Sequence, residues 1–249
     1  MFSIILAAGG GFLGGAMNAL AGGGSFATMP TLIALGLPAT QANATSNFAL
    51  LPGAGASALT FRDELGPIGS AQPWPLVAIT FACALVGSLL LVVTPTETFD
   101  IIIPWLLLVA FLILLFGKRA AIWLHDHVTI GRRTLFAAQA LLGIYGGYFG
   151  GGIGMMMTAV YGLLAGATPR EMFAARTLML AVANTAAAFV FIGFDMIRWW
   201  ACLPMLAGAL AGGWIAALLG KRVPPTPIRL WTIAWTAAVT AMFFWRAYG

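Results

Sequence analysis

Charge is what this sequence has least of. Only 8% of its 249 residues are Asp, Glu, Lys or Arg, against 61% that are hydrophobic, and the mean hydropathy is +0.97. A soluble domain carries about 25% charged residues to wet its surface. Here 12 basic and 7 acidic groups cannot wet a globule of 249 residues. A water-soluble enzyme is excluded on that ground, and hydrocarbon is the solvent for most of the surface. Backbone groups must then pair internally, which leaves helices or closed barrels as spanning structures. Long continuous apolar runs select helices, because barrel strands alternate in shorter segments.

Other absences narrow the reading further. Cysteine occurs twice, at Cys83 and Cys202, each inside an apolar run, so there is neither a disulfide framework nor a metal-ligand spacing. The two histidines, His125 and His127, flank Asp126 in a polar stretch, and adjacent positions make a poor closed metal site. No metal and no other cofactor is expected. The chain has no H-E-x-x-H, no G-x-S-x-G and no paired aspartates within an apolar run, so it carries no sign of enzyme chemistry. Basic residues do not interleave with aromatics. They fall as pairs between hydrophobic blocks, at Lys118–Arg119, Arg132–Arg133 and Lys221–Arg222, a pattern that orients a membrane protein rather than binding nucleic acid. Met1 to Leu20 has no basic leader and no clear cleavage site, so it reads as a first membrane helix and not as a removable signal.

What is present is a set of about eight apolar segments: 2–21, 42–60, 74–93, 99–116, 133–149, 171–193, 199–219 and 228–246. Most match the ~20 residues that cross a ~30 Å hydrocarbon core. The chain is therefore expected to be an all-α polytopic protein embedded in a lipid bilayer. With eight spans, more basic residues fall on the side of the termini, which predicts both termini in the cytoplasm.

Two stretches repeat each other. AGGGSFATMPTLIALGLPATQANATSNF begins at Ala21, and FGGGIGMMMTAVYGLLAGATPREMFAARTLM begins at Phe149. Each has three glycines, a short apolar piece (Phe26 to Leu35, Ile153 to Leu164), a glycine, and a proline opening the next helix. The expected organisation is a first repeat over 1–117, a polar inter-repeat loop over 118–132 and a second repeat over 133–249. Four spans per unit predict parallel units, unless a glycine-rich piece crosses and changes the parity. Ten to twelve residues are too few for an ordinary span and suit a broken or re-entrant helix, and transporters place their sites where such pieces meet.

These repeats hold the candidate binding residues. Gly22, Gly23 and Gly24, and likewise Gly150, Gly151, Gly152 and Gly154, let the backbone approach a ligand or another helix. A helix restarting after Gly24, with Ser25 as its cap, would aim unpaired amides and a positive dipole end at a small anion. Asn43, Thr45, Ser46 and Asn47 make a polar turn in an apolar helix, with Asn43 and Asn47 on one face. In the second repeat Thr168-Pro169-Arg170-Glu171 forms a capping box. Arg176, set within a span and beside Thr177, faces the bundle interior or an aqueous path, because burial in lipid is costly. Asn184 follows two turns later, beside Thr185. An arginine with two helix N-termini argues for a small anionic substrate. No acidic residue sits centrally in a span, so coupling to protons or sodium would use peripheral carboxylates, the substrate's own proton, or Asn43, Ser46 and backbone carbonyls. Single glycines such as Gly208 and Gly212 read as close helix packing.

On these motifs the chain resembles the sulfite exporter TauE/SafE family, also called the 4-toluene sulfonate uptake permease family. The resemblance rests on AGGGSFATMP with GLPATQANATSNF, and on GGYFGGGIGMMM with GATPREMFAARTLM, and runs over essentially the full length. It implies seven or eight helices in the bacterial inner membrane and transport of small anions, among them sulfite and other sulfur-containing or organic acids. Asn47 stands where an apolar residue often follows the Thr-Ser pair, and Arg176 stands where a small residue precedes the threonine. The expected function is a secondary transporter exporting sulfite, an organosulfonate or an organic acid. The alternatives are a carrier for a non-sulfur carboxylate and a passive anion channel.

Overall fold

The computed structural model describes the chain except for residues 69–70, 128–130, 166–168 and 221–224, with side chains also left aside over 117–130, 162–171 and 220–226. The described residues are α-helical almost throughout. The helices are α1 (Phe2–Ala21), α2 (Ser25–Ala34), α3 (Ala39–Thr60), α4 (Pro73–Val93), α5 (Thr96–His127), α6 (Arg132–Tyr148), α7 (Ile153–Ala165), α8 (Pro169–Gly193), α9 (Trp199–Gly220) and α10 (Pro225–Tyr248). A 3-10 turn, Arg62–Glu64, follows α3.

Six of these helices are long and apolar enough to cross a membrane: α1, α4, α5, α8, α9 and α10. The other two expected segments fall short for physical reasons. The Asn43–Asn47 turn lowers the hydropathy of α3, and α6 has only 17 residues. The short pieces after the glycine clusters are separate helices, α2 and α7.

The expected polar loop over 118–132 is a correction. Helix α5 continues to His127, because Lys118-Arg119-Ala120-Ala121 are good helix formers and no glycine or proline intervenes before Gly131. Polarity ends the apolar run there without ending the helix. The capping box at Thr168 lies partly outside the described residues, although α8 does begin at Pro169.

Small residues set the closest helix pairs. Gly11 and Gly15 of α1 lie against the carbonyls of Met205 and Ala209, while Gly208 and Gly212 of α9 lie against Ala8 and Phe12. Side chains at these positions would collide with backbone, so this is small-xxx-small packing from both helices. The packing reading of Gly208 and Gly212 holds. Gly143 and Gly147 of α6 meet Thr80, Cys83 and Ala84 of α4 in the same manner. Both pairs run parallel, since residue numbers rise together along them.

Two hairpins follow from similar contacts. Thr28 of α2 packs on Gly14, and Thr31 on Gly10, so α2 turns back along α1. Ile153 of α7 packs on Gly146, and Tyr161 hydrogen-bonds Gln139 at 2.8 Å, so α7 turns back along α6. Helices α3 and α8, which the glycine-cluster spacing puts in corresponding positions, run antiparallel. Asn47 meets Asn184, and farther on Phe61 meets Phe173 edge-to-face at 4.7 Å. Helices α5 and α10 do likewise, with Trp105 against Phe244 and Ile101 against Tyr248. The parallel arrangement expected from an even number of spans therefore does not hold. The turned-back α2 and α7 change the parity.

Candidate functional site

The polar turn of α3 faces the bundle interior, with Asn43, Thr45, Ser46 and Asn47 all buried. Each amide or hydroxyl finds a specific partner. Asn43 Nδ2 donates to the carbonyl of Tyr148 at 3.0 Å, at the end of α6. Asn47 Nδ2 donates to Asn184 Oδ1 of α8 at 3.3 Å. Ser46 Oγ and Thr28 Oγ1 share a short hydrogen bond that ties α2 to α3. Thr45 has a structural task instead: its hydroxyl accepts from the backbone N–H of Arg198 at 3.1 Å, while Arg198 Nε donates to Gln41 at 2.8 Å. The start of α9 is thereby fixed to α3.

The two glycine clusters meet each other. A methyl group on Gly154 would stand 2.9 Å from the Gly22 carbonyl oxygen, and one on Gly22 would stand 3.0 Å from the Gly154 Cα. Gly22 caps α1 with a φ of 81°, its N–H donating to Asn18 at 2.9 Å, a conformation that favours glycine. Gly150 and Gly152 also have positive φ, 71° and 76°, and place the α6–α7 bend beside Asn47 and Phe26. Gly23 and Gly24 are crowded by Met155, Asn18 and Leu50, and Gly151 by the Phe149 ring.

One expectation is corrected at this crossing. Ser25 is the first residue of α2 and not its cap; Gly24 holds the cap position, with no side-chain capping bond. Gly24 itself has right-handed helical φ and ψ, and the amides of Phe26, Ala27 and Thr28 already bond the carbonyls of Gly23 and Gly24. Those donors are engaged, and the α2 start is a weaker anion cradle than a free helix N-terminus.

Arg176 stands apart from the asparagines. It lies eight residues before Asn184 on α8, about 12 Å along the axis at 1.5 Å per residue, too far for one small oxyanion to touch both. Its side chain is only 6% exposed, and its guanidinium sits 4.3 Å from the centre of the Phe173 ring. Thr177 beside it donates to its own helix, at the Ala174 carbonyl, 3.0 Å away. Arg176 lines a cavity of about 360 Å³ with Arg229, Thr158 and Thr232. Arg229, Thr158 and Thr232 have no role in the sequence reading; the 3.6-residue period of α7 and α10 is the available signal. A larger cavity between α4 and α8, about 590 Å³, is lined by Trp74, Phe81 and aliphatic residues with Thr185 as its one hydroxyl, and offers an anion nothing.

Three buried side-chain atoms have no hydrogen-bond partner among the described residues: Asn43 Oδ1, Asn47 Oδ1 and Arg176 Nε. All three belong to the residues singled out above. Folded proteins leave few buried polar groups unpaired, and each exception calls for an explanation. No cluster of three metal-ligating side chains occurs among the described residues.

Comparison with known proteins gives one family match. A family profile described as "Sulfite exporter TauE/SafE" covers residues 7–243. A protein of a Sinorhizobium species, "Probable membrane transporter protein ORF9", is 28% identical over 209 residues, 83% of this chain and 78% of its own length. "Probable membrane transporter protein" of Haemophilus influenzae is 27% identical over 235 residues, 93% of this chain and 90% of its own. "Probable membrane transporter protein YfcA" of Escherichia coli is 23% identical over 237 residues, 95% and 88%. No solved structure matches.

Proposed function

The chain belongs to the sulfite exporter TauE/SafE family, and from that premise we propose that it exports sulfite, an organosulfonate or a related small acid anion. It is a multi-pass inner-membrane transporter of small anions and not an enzyme. The observation that carries the finer reading is the set of unpartnered buried atoms, Asn43 Oδ1, Asn47 Oδ1 and Arg176 Nε. A buried guanidinium whose Nε lacks a partner attracts an anion, and a positioned guanidinium is a strong oxyanion ligand. The two asparagine oxygens only accept hydrogen bonds, so they suit a protonated oxygen of the travelling acid, or sodium. Coupling to protons or sodium enters at that level. Gly22–Ser25 and Gly150–Gly154 form the crossing through which the anion passes, with Asn43, Ser46, Asn47 and Asn184 on one side and Arg176 with Thr177 on the other.

The reading of the architecture is two inverted units, α1–α5 and α6–α10, related by a pseudo-two-fold axis in the membrane plane. Its support is the antiparallel run of α3 with α8 and of α5 with α10. Exchanging the units also turns the α1–α9 pair into the α6–α4 pair, both of which are close and parallel. In this reading α2 and α7 re-enter from opposite faces and meet at Gly22 and Gly154, the arrangement that alternating access uses in inverted-repeat carriers.

The test is labelled-sulfite flux into proteoliposomes of the purified full chain, with sulfate, taurine and acetate as competitors and imposed pH or sodium gradients. Saturable sulfite flux, stimulated by sulfite on the opposite side and reduced at least tenfold by Arg176→Gln, is expected. Flux inhibited by acetate alone points to a carboxylate carrier, and flux without counter-stimulation points to a channel. No sulfite flux under any gradient, from protein shown to be folded, removes sulfite.

A further inference from the structure

The geometry points to a cytoplasm-facing loading site for the anion between Arg176 and Arg229, and so to both chain termini lying on the outer face of the membrane. The proposal rests on the anion-transporter reading and adds to it a location, a direction and further residues.

The helix directions sort the charges. The starts of α3, α5 and α9 and the end of α10 share one end of the bundle: Thr40 Oγ1 is 3.1 Å from Thr96 Oγ1, Gln41 is bonded to Arg198, and Asp100 lies 3.7 Å from Arg246. Helix α1 begins at that end as well, because it runs parallel to α9. Of the chain's 12 basic residues, this end holds Arg198 and Arg246. The other end is marked by Phe61 against Phe173, and by the end of α1 at Ala21 sharing a cavity with Arg229. At that end Arg62 closes α3, Lys118 and Arg119 extend α5, Arg132 and Arg133 open α6, and Arg170 and Arg229 stand in the first turns of α8 and α10. The connection from α9 to α10 carries Lys221 and Arg222 in the sequence. Lysine and arginine are retained on the cytoplasmic side of membrane proteins. The basic end is thus cytoplasmic, and Met1 and Gly249 are outside. The earlier expectation of cytoplasmic termini came from counting eight crossings; with α2 turned back along α1, Arg62, Arg132 and Arg133 lie opposite the N-terminus.

The Arg176–Arg229 cavity opens at this basic end. Its volume of about 360 Å³ is ample for a small oxyanion. Arg229 is exposed at the mouth, and Arg176 is buried behind it against Phe173, with Nε unpartnered. Thr158 and Thr232 donate to the carbonyls of Gly154 and Ile228 and can turn to donate inward. Among the described residues no carboxylate lines the cavity. Two guanidinium forks with two hydroxyls suit a compact oxyanion carrying more than one negative charge better than a monocarboxylate.

The experiment places a cysteine at Ile228, which lines the cavity through an apolar side chain. Wild type is the control for any reaction at Cys83, half-buried in α4, or at Cys202, buried in α9. Ile228→Cys should react with an impermeant charged maleimide in inside-out vesicles and not in intact spheroplasts. Sulfite or sulfate should slow labelling at least fivefold more in Ile228→Cys than in the same variant carrying Arg176→Gln, a ratio that cancels the maleimide consumed by sulfite itself, and chloride at equal ionic strength should not slow it. A protease site added after Gly249 should be cut in intact spheroplasts. Labelling from the outside only, or cleavage only after lysis, overturns the orientation. Unprotected labelling at sulfite concentrations that saturate wild-type flux overturns the loading site while the transporter reading stands. Loss of sulfite flux in wild type itself is the separate failure of that reading.

Discussion

Consider replacing Gly154 by alanine. The position is helical, so the substitution should gain about 1 kcal/mol of helix propensity. Against that, the added methyl carbon stands 2.9 Å from the Gly22 carbonyl oxygen and 3.0 Å from the Gly22 Cα. Both are backbone atoms, and no flexible side chain can yield. Ordinary contact needs several tenths of an ångström more, so α1 and α7 must part at the crossing. Overpacking of this kind costs about 1–3 kcal/mol. Gly9→Ala is the matched control, because Gly9 is exposed on α1 and has nothing within 4 Å of an added carbon. The two variants gain the same propensity, so their stabilities should differ by about 1–3 kcal/mol, the cost of the crossing contact alone. Detergent-solubilised protein is compared by intrinsic-fluorescence melting, and sulfite flux is measured in parallel. Gly154→Ala is expected to melt lower than Gly9→Ala and to carry less anion. Equal melting and equal flux would refute the view that the glycine clusters exist to bring these two backbones together.

Two further outcomes follow from the buried polar groups. Gln139→Leu removes the acceptor of Tyr161 and the donor to Thr80, all three fully buried. Stability should fall by about 1–3 kcal/mol, and Tyr161→Phe in the same chain should restore most of it, because the orphaned hydroxyl then disappears. Asn47→Ala loses one hydrogen bond, at 3.3 Å, and one acceptor that is already unpartnered. Its melting should shift by less than about 1.5 kcal/mol in free energy, whereas anion flux should fall at least tenfold. A variant that melts poorly yet transports normally would make Asn47 a packing residue.

The membrane character and the short helices could be read from the chain because both are local. Hydropathy marks each span, and three glycines before a ten-residue apolar piece mark a break whatever the surroundings. Pairings were harder. Asn47 and Asn184 are 137 positions apart, and nothing in either segment announces the other. Ser25 looked like a cap because its residue type is right, but Gly24 is already helical and takes that position. The stretch after Lys118 looked like a loop because charge ends a hydrophobic run, although it does not end a helix. The largest miss was parity. Whether α2 crosses or turns back is decided by Thr28 and Thr31 packing on Gly14 and Gly10, a tertiary contact. Helices α3 to α6, and with them Arg62, Lys118, Arg119, Arg132 and Arg133, change sides on that one fact, until the matching turn of α7 on Gly146 restores the count for α8 to α10.

The same fact gives the constellation an order along the membrane normal. Ala21 and Met155 border the arginine cavity, and both adjoin the Gly22–Gly154 contact. Gly150, at the other end of the same bend, lies within contact range of Asn47 Nδ2. The glycine crossing therefore stands between a cationic cavity on the basic face and the two unpartnered amide oxygens of Asn43 and Asn47 nearer the opposite face. Donors hold an anion, whereas bare carbonyl oxygens repel one unless a proton or a cation accompanies it. On the proposed route, an anion leaving Arg176 for the asparagines would acquire a proton or meet sodium at the crossing, and its movement would be coupled to that ion without an acidic side chain at the centre of a span. If sulfite flux proves independent of both gradients while Asn47→Ala still abolishes it, the asparagines position the helices and the coupling reading fails.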